Sequence, residues 1–355
     1  MFKMFTRNET RRVMVGDAAL GGGEPVRVES MAKTDTRDVG ATLAQLEGMA
    51  AAGCEIARAA VPDEDAAAAF GEIARRSPIP VMADIHFDHR LALACLEAGA
   101  AAVRLNPGNV VRPEHWAAVG REMAARGVPA RVGVNAGSLA RDARERYGGR
   151  TAEAMAASAL DAVGKLEDIG VADIIVSAKA TSPAVTLAAN RLIAERSAHP
   201  LHVGITEAGF GDAGVVRSAV GLGLVLAAGL GDTVRVSLTD APEREVAVAY
   251  EVLRALELRR RGPTLISCPG CGRAQVDIAA LARRVAASLN GDSRDVVVAV
   301  MGCAVNGPGE ASEADVGIAG GKGRGVVYRG GEIVRAVDED ELVAALLAEL
   351  EAWGS

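Results

Sequence analysis

Short apolar runs alternate with longer amphipathic stretches through the first two thirds of the chain. Eight runs have the length and composition of buried strands, at 26–30, 55–58, 80–84, 101–105, 130–134, 173–177, 201–205 and 233–237. The stretches between them are rich in Ala, Leu, Glu and Arg and have helical length, as at 42–52, 114–126, 152–169 and 243–260. This alternation predicts an α/β fold, a (β/α)8 TIM-type barrel over residues 1–260. A doubly wound open sheet is the alternative, although no phosphate-binding glycine loop follows the first strand.

An Arg-Gly-Pro sequence at 261–263 interrupts this alternation. Beyond it the pattern predicts short strands at 264–267, 296–301, 316–319, 325–328 and 332–337, with helices at 277–289 and 338–353. The elements are too few and too short to extend the barrel. We therefore expect a second domain, a small α+β unit over residues 264–355.

The charge balance is mildly acidic, with 39 Lys and Arg against 46 Asp and Glu and a net charge of −7. Such a chain has no general electrostatic footprint for nucleic acid or for an anionic membrane. The first residues lack the apolar core of a secretory signal, and no uncharged run is long enough to span a bilayer. With only five cysteines, the expected compartment is a reducing cytoplasm.

Polar side chains gather where the predicted strands end, which in a barrel is the edge that carries the active site. Besides Asp84, Asn106 and Thr206 they are Arg58, His86, Arg104, Asn135, Lys179, Glu207, Arg235 and Ser237, with Arg131 further inside its strand. Five of these residues are cations, and burying them together is costly unless anions pair with them. Asp84 and Glu207 can offset two at most. A single Arg can equally be a plain salt bridge at the barrel rim, but all five together predict an anionic ligand such as a diphosphate.

Three of the five cysteines lie in two loops rich in Gly and Pro, Cys268 and Cys271 in one and Cys303 in the other. An odd set of thiols indicates a soft-metal site rather than a disulfide framework. The nearest further ligand in that domain is Glu310, and no histidine follows His202. A carboxylate beside three thiolates is a poor zinc set and suits an iron–sulfur cluster with one exchangeable iron. A purely structural metal site is the alternative.

Seven short sequences, in order along the chain, carry a resemblance to a known family. From about Arg27 to Glu310 the chain resembles the 4-hydroxy-3-methylbut-2-enyl diphosphate synthase family of isoprenoid precursor biosynthesis, in its two-domain bacterial form. The matching sequences are ADIHF at 83–87, RLNPGN at 104–109, GVNAGS at 133–138, TEAG at 206–209, GDTVRVS at 231–237, CPGC at 268–271 and GCAVNGPGE at 302–310.

The resemblance implies an oxidoreductase of the methylerythritol phosphate pathway. The family converts 2-C-methyl-D-erythritol 2,4-cyclodiphosphate to the open allylic diphosphate by two-electron reduction, ring opening and loss of water, with flavodoxin or ferredoxin as electron donor. It implies a [4Fe-4S] cluster held by Cys268, Cys271, Cys303 and Glu310. The implied substrate-binding residues are Arg58, Arg104, Arg131, Asn135, Lys179, Arg235 and Ser237.

The roles of three acidic or titratable groups are expectations of the same kind. Glu310 is the displaceable cluster ligand, and Glu207 and His86 are candidates for proton delivery. The chain departs from the family pattern at Glu29, where Gln is common, and at Thr181 and Ser182, where Ser-Asp is expected. Both departures concern contacts to substrate at that rim, and neither touches the cluster.

The chain direction also predicts an assembly. A helix over 243–260 returns to the end of the barrel opposite the active mouth and spans about 27 Å, whereas the linker at 261–267 reaches at most about 24 Å. We therefore expect a head-to-tail homodimer in which each cluster domain caps the partner's barrel. Three other classes compete with this interpretation: a zinc-stapled barrel hydrolase, a pterin-type barrel synthase, and a non-enzymatic binding module.

Overall fold

The computed structural model describes residues 6–109, 112–139, 141–303, 309 and 314–353. It divides into two compact units, Met1–Arg259 and Arg260–Ser355. Among the described residues, no helix combines the length and the apolar character that crossing a membrane requires.

The first unit opens with a short hairpin, β1 (Val13–Val15) and β2 (Ala18–Leu20). A sheet of parallel strands follows, in the spatial order β8-β7-β6-β5-β4-β3-β10-β9. A parallel bridge between Val176 and Leu201 joins the two ends of this order, so the sheet closes. The predicted barrel is confirmed and the open sheet is excluded. The barrel strands are β3 (Arg27–Met31), β4 (Ile56–Val61), β5 (Val81–Ile85), β6 (Ala102–Leu105), β7 (Ala130–Asn135), β8 (Ile174–Lys179), β9 (His202–Val203) and β10 (Thr233–Val234).

Helices surround the barrel and begin at capping residues that the sequence supplies. The side chains of Asp38, Asp63 and Thr151 each accept a hydrogen bond from a backbone N–H of the first turn. Large apolar side chains such as Phe70 are fully buried between helices and strands. The helices are α1 (Val39–Ala51), α2 (Glu64–Arg76), α3 (His89–Glu97), α4 (Pro113–Arg126), α5 (Arg141–Arg146), α6 (Ala152–Ile169), α7 (Pro183–Ala194), α8 (Gly211–Ala227) and α9 (Pro242–Ala255).

The last barrel helix is shorter than the sequence pattern predicts. The helix expected over 243–260 ends at Ala255, because Glu257 adopts a left-handed backbone with φ of 54°. Arg259 then turns back and donates to Glu55 at 2.9 Å and to the carbonyl of Val26 at 3.0 Å. These two bonds draw the end of the unit against the amino ends of the strands.

The hairpin β1–β2 closes the bottom of the barrel and was not among the elements predicted from the sequence. Leu20 is fully buried in a cluster with residues that point into the barrel from the amino ends of the strands, Ile56, Met82, Ala102 and Ile175. A sequence signal was present, since two short apolar runs flank Gly16-Asp17, and Gly16 has the positive φ that such a tight turn requires.

The hairpin gives a prediction about stability. Leu20→Ala removes apolar volume from a closed cluster, so we expect the free energy of unfolding to fall by about 2–5 kcal/mol. The shift is measured as a lower midpoint in urea denaturation followed by circular dichroism. Val216→Ala, at a position on α8 that is 60% exposed, is the matched control and should leave the midpoint within error. Equal midpoints for both variants would show that the hairpin contributes little.

The second unit is a mixed sheet with two helices among its described residues. In the order β11-β12-β13-β14-β15 the first three strands are parallel and the last three antiparallel. The helix predicted over 338–353 begins later, because residues Glu339–Glu341 form a 3-10 turn. The elements are β11 (Thr264–Ser267), α10 (Ile278–Ser288), β12 (Val297–Met301), β13 (Val316–Gly320), β14 (Arg324–Arg329), β15 (Glu332–Asp338) and α11 (Leu342–Trp353).

Candidate active site at the barrel mouth

A polar cavity of about 260 Å³ lies at the carboxyl ends of the barrel strands. All seven predicted substrate-binding residues line it, together with His86. Glu207 is exposed and does not line this cavity, although the neighbouring Thr206 does. The lining residues are Met31, Arg58, Asp84, His86, Arg104, Arg131, Gly133, Asn135, Ser177, Lys179, Thr206, Arg235 and Ser237.

Asp84 holds two of the cations on one side of the cavity. Its carboxylate lies 3.1 Å from Arg104 Nη1 and 3.5 Å from Arg58 Nε. Burial opposes ionisation of Asp84, but the charges of Arg58 and Arg104 outweigh it and hold the pKa of that carboxyl below its ordinary value. Arg104 Nη1 also lies 3.1 Å from Nε2 of His86. Because a guanidinium only donates, His86 accepts there and is neutral in this arrangement.

A second charged group forms the floor of the cavity. Arg131 is fully buried and donates to Glu29 at 2.6 Å. Burial would raise the pKa of Glu29, yet the adjacent Arg131 lowers it below the ordinary value. Beside this pair, Lys179 Nζ lies 2.7 Å from His202 Nε2. Glu29 is one of the two departures from the family pattern, and it acts here as the buried counter-ion of a predicted substrate-binding residue.

The third carboxylate of the site is Glu245, in the first turn of α9, and it is 1% exposed. It lies 3.7 Å from Arg235 Nη2, 2.9 Å from Lys33 Nζ and 2.7 Å from Ser30 Oγ. Met31 adds a soft acceptor on the same side, with its sulfur 3.3 Å from Arg58 Nη2. Burial, followed by the charge of Arg58, lowers the pKa of Arg235 to about 10. At neutral pH Arg235 therefore remains a cation.

Two glycines, Gly133 in β7 and Gly204 directly after β9, make room for these cations. A Cβ at Gly133 would lie 2.6 Å from Arg104 Nε, whose guanidinium donates to the Gly133 carbonyl at 3.1 Å. A Cβ at Gly204 would collide with the carbonyl oxygen of Arg235 and come within 3.2 Å of Lys179 Nζ. The absence of side chains at these positions lets the cations lie directly against the main chain.

The three predicted cysteine ligands line one cavity of about 110 Å³ in the second unit. Cys303 is buried, Cys271 is exposed, and Cys268 Sγ accepts a hydrogen bond from the Gly302 N–H at 3.3 Å. A backbone hydrogen bond from Arg273 and the charge of that residue lower the pKa of Cys271. Glu310 lies outside the described residues. Within the described ranges, no group of three Cys, His, Asp or Glu side chains is gathered closely enough for a single metal ion.

The other two cysteines differ from these three in their surroundings. Cys54 and Cys95 are buried in the barrel core, and burial raises the pKa of each thiol to about 12. Such thiols are inert at neutral pH.

Comparison with known families decides which proteins this chain is related to. The GcpE TIM-barrel domain matches residues 10–250, and the GcpE protein C-terminal domain matches residues 264–352. The chain belongs to the GcpE family. The two matched regions fall within the barrel unit and the small unit described above.

Similar proteins extend the GcpE match over nearly the whole chain. A protein of Geobacter sulfurreducens named 4-hydroxy-3-methylbut-2-en-1-yl diphosphate synthase (flavodoxin) is 54% identical, covering 97% of each chain. A protein of the same name from Maridesulfovibrio salexigens is 50% identical, covering 99% of this chain and 98% of the other. Among solved structures, an N-acetylneuraminic acid synthetase from Leptospira borgpetersenii covers 79% of this chain and 98% of its own, with a TM-score of 0.50 and 13% identity. That likeness shows the barrel fold alone.

Several residues of this GcpE site were missed by sequence reasoning. The sequence places Glu245 in the first turn of a predicted helix, where acidic residues are common on the surface, so nothing marked it as part of the site. His202 lies inside a predicted strand, and its partner Lys179 is 23 positions away. The signal that could have found His202 is the alternation of inward- and outward-facing side chains along a barrel strand. His202 occupies an inward-facing position near polar strand ends, as does Arg131, which was predicted.

The close approach at Gly204 gives a second prediction. Gly204→Ala must displace the Arg235 main chain, so we expect a loss of about 1–3 kcal/mol in stability and a lower affinity for anions. Gly223→Ala is the matched control, because its Cβ would meet nothing within 4 Å on α8. That variant should gain about 0.5–1 kcal/mol. Thermal melts of both variants, with and without inorganic diphosphate, give the melting temperature and its increase on binding the anion. If Gly204 had no steric role, the two variants would not differ in either quantity.

Proposed function

We propose that this chain catalyses the reductive dehydration and ring opening of 2-C-methyl-D-erythritol 2,4-cyclodiphosphate to (E)-4-hydroxy-3-methylbut-2-enyl diphosphate, in the biosynthesis of isoprenoid precursors. The observation that carries the proposal is the convergence of five cations on one cavity at the barrel mouth. Family membership and the two synthases of the same name support the reaction.

The charges around the cavity favour a ligand with about two negative charges. Five cations line it, and three carboxylates, Asp84, Glu29 and Glu245, lie within 4 Å of them. The lining cations exceed these carboxylates by two positive charges, and Lys33, which shares Glu245 with Arg235, adds a third. A cyclic diphosphate, which carries one negative charge on each phosphorus, offsets two of them. Arg side chains suit such an anion because their planar N–H groups can bind two oxygens at once.

The three thiols fit a [4Fe-4S] cluster. They face one small cavity, the pKa of the exposed Cys271 is lowered towards the thiolate form, and the described part of the second unit contains no other cysteine. We propose Cys268, Cys271 and Cys303 as ligands, with Glu310 as a replaceable fourth. When bound, such a cluster supplies single-electron transfer from flavodoxin or ferredoxin.

The residues of the chain itself bind and orient the substrate. Arg58, Arg104 and Arg235 hold the two phosphates, and Asp84 fixes the first two of these guanidiniums. The contact of His86 Nε2 with Arg104 leaves the ring hydrogen on Nδ1. His86 can deliver a proton only as the imidazolium, so Nε2 must first leave Arg104 and take up a proton. Glu207 is proposed as the second proton donor, since it follows Thr206 at the rim.

The reaction is tested with anaerobically purified protein, reduced flavodoxin and the cyclic diphosphate. We expect conversion to the linear allylic diphosphate, followed by phosphorus NMR, and iron and sulfide bound to the protein. A colourless protein that contains zinc and leaves the cyclic diphosphate unchanged would contradict the proposal and favour a zinc-stapled hydrolase.

We also propose a head-to-tail homodimer in which each small unit serves the partner's barrel. The support is the chain direction, since α9 runs back from the active mouth before the second unit begins. Mixed dimers of Arg104→Ala and Cys303→Ala chains test it. If the units act across the dimer, random pairing of equal amounts makes about half of the dimers heterodimers, and one of the two sites in each heterodimer is intact. Mixing should then restore about a quarter of the wild-type activity. If each chain serves its own barrel, mixing restores none.

A further inference from the structure

Two titratable side chains share one contact beneath the cavity. Lys179 Nζ and His202 Nε2 lie 2.7 Å apart, and these residues are 6% and 0% exposed. A contact of this length between two nitrogens holds one hydrogen, so one of the two must accept. The pair therefore carries at most one positive charge.

Neighbouring elements surround the pair with cations. Arg58 on β4, Arg131 on β7 and Arg235 after β10 all lower the pKa of Lys179, in addition to its burial. The nearby carboxylates are engaged elsewhere: Glu29 with Arg131, Asp84 with Arg58 and Arg104, and Glu245 with Arg235 and Lys33. Among the described residues no carboxylate forms an ion pair with Lys179.

Glu29 Oε1 lies 3.6 Å from His202 Nε2, but Arg131 shares this carboxylate at 2.6 Å, so its charge only partly offsets the three guanidiniums. Burial and the three guanidiniums move the pKa of Lys179 well below its ordinary value and keep His202 neutral. A dianion in the cavity reverses the sign of the local potential. It therefore favours the ammonium form of Lys179, with His202 Nε2 accepting its hydrogen.

We infer that binding of the cyclic diphosphate draws one proton from solvent onto the Lys179–His202 pair. The inference rests on the proposed function and specifies how its site is charged. With Lys179 neutral, the other four lining cations exceed the three carboxylates by one positive charge, not counting Lys33. With the proton taken up, the lining cations exceed the carboxylates by two, which matches the dianion. His202 is then a positioning residue that holds the ammonium of Lys179 against the substrate.

Calorimetry of the cluster-containing dimer, without reductant, measures this uptake. The cyclic diphosphate is a suitable probe because each phosphorus has only a strongly acidic group, so the ligand itself takes up no proton near neutrality. Binding heats at about pH 8 in HEPES, TAPS and Tris, plotted against buffer ionisation enthalpy, should give a positive slope approaching one proton per site. Affinity should then fall with rising pH by up to about tenfold per unit.

His86 is the other titratable group that lines the cavity, and a substitution separates it from the pair. Burial lowers the pKa of His86, but a bound dianion would raise it again, so His86→Gln tests whether any of the uptake occurs there. Uptake at about pH 8 should persist in His86→Gln and disappear in Lys179→Met. Lys165→Met, at an exposed position on α6, is the matched control and should behave as wild type.

Two milder variants keep the test valid if Lys179→Met fails to fold. His202→Gln retains an acceptor near Nζ and should retain the uptake. Glu29→Gln removes the negative charge 3.6 Å from His202 Nε2 and should move the uptake to lower pH by about one unit or more. Binding without uptake in the wild type, or full uptake in Lys179→Met, overturns the inference while leaving the proposed function intact. Absence of any binding overturns both.

Discussion

Replacing Cys303 by alanine should abolish turnover and bleach the anaerobically purified protein. Cys303 is 6% exposed and faces the same small cavity as Cys268 and Cys271, so its loss leaves two thiols for the proposed cluster. The loss of a direct ligand should exceed the roughly 10- to 100-fold effects that follow from losing an outer-shell partner. Iron content, the visible spectrum and conversion of the cyclic diphosphate measure the result.

The matched control for this variant is Cys95→Ala. Cys95 is also buried, but it lies in the barrel core with a pKa raised to about 12. The Cys95→Ala protein should keep its colour and its activity and lose only a little stability. A Cys303→Ala protein with full iron content and turnover would overturn the ligand assignment, whatever Cys95→Ala does.

Replacing Arg104 by alanine should lower kcat/KM for the cyclic diphosphate by about 30- to 5,000-fold. This range corresponds to about 2–5 kcal/mol, the usual cost of truncating one partner of a buried charge pair at a binding site. Arg104 is 5% exposed and binds Asp84, His86 and the Gly133 carbonyl at once, so its loss also loosens the orientation of its neighbours.

Two controls separate charge from geometry at this position. Arg104→Lys keeps the charge and loses the planar set of donors, so we expect an intermediate loss. Arg126→Ala, on the exposed side of α4, should have no effect on kcat/KM. Undiminished affinity in Arg104→Ala, with an unchanged melting temperature, would argue against an anion site at the mouth.

The sequence was sufficient for the barrel because its strands and helices have different hydrophobic periods and are joined by Gly and Pro. It also indicated which cations meet, since the carboxyl ends of parallel strands share one edge of a barrel. Arg58, Arg104, Lys179 and Arg235 could therefore be grouped without coordinates. The thiol loops were recognisable because three of the five cysteines lie in two short loops rich in Gly and Pro.

The counter-ions of these cations could not be found in the same way. Glu245 belongs to a helix, and only tertiary packing buries it against Arg235. Glu29 and Arg131 are 102 positions apart, and nothing local in either strand indicates the pair. Glu207 was expected in the cavity, but its backbone is left-handed with φ of 52°, which a residue other than glycine rarely adopts, and its side chain is exposed.

The main chain at Gly133 bears on inhibitor design. Gly133 lines the cavity, and any side chain there would displace Arg104, so an inhibitor that contacts Gly133 would rest on a position that the protein cannot readily change. Resistance by substitution at Gly133 would therefore disturb a residue that we propose binds the substrate. Escape would have to come from the loops around the mouth, so compounds that bind deep on the strands should keep their potency longer than compounds that bind at the rim.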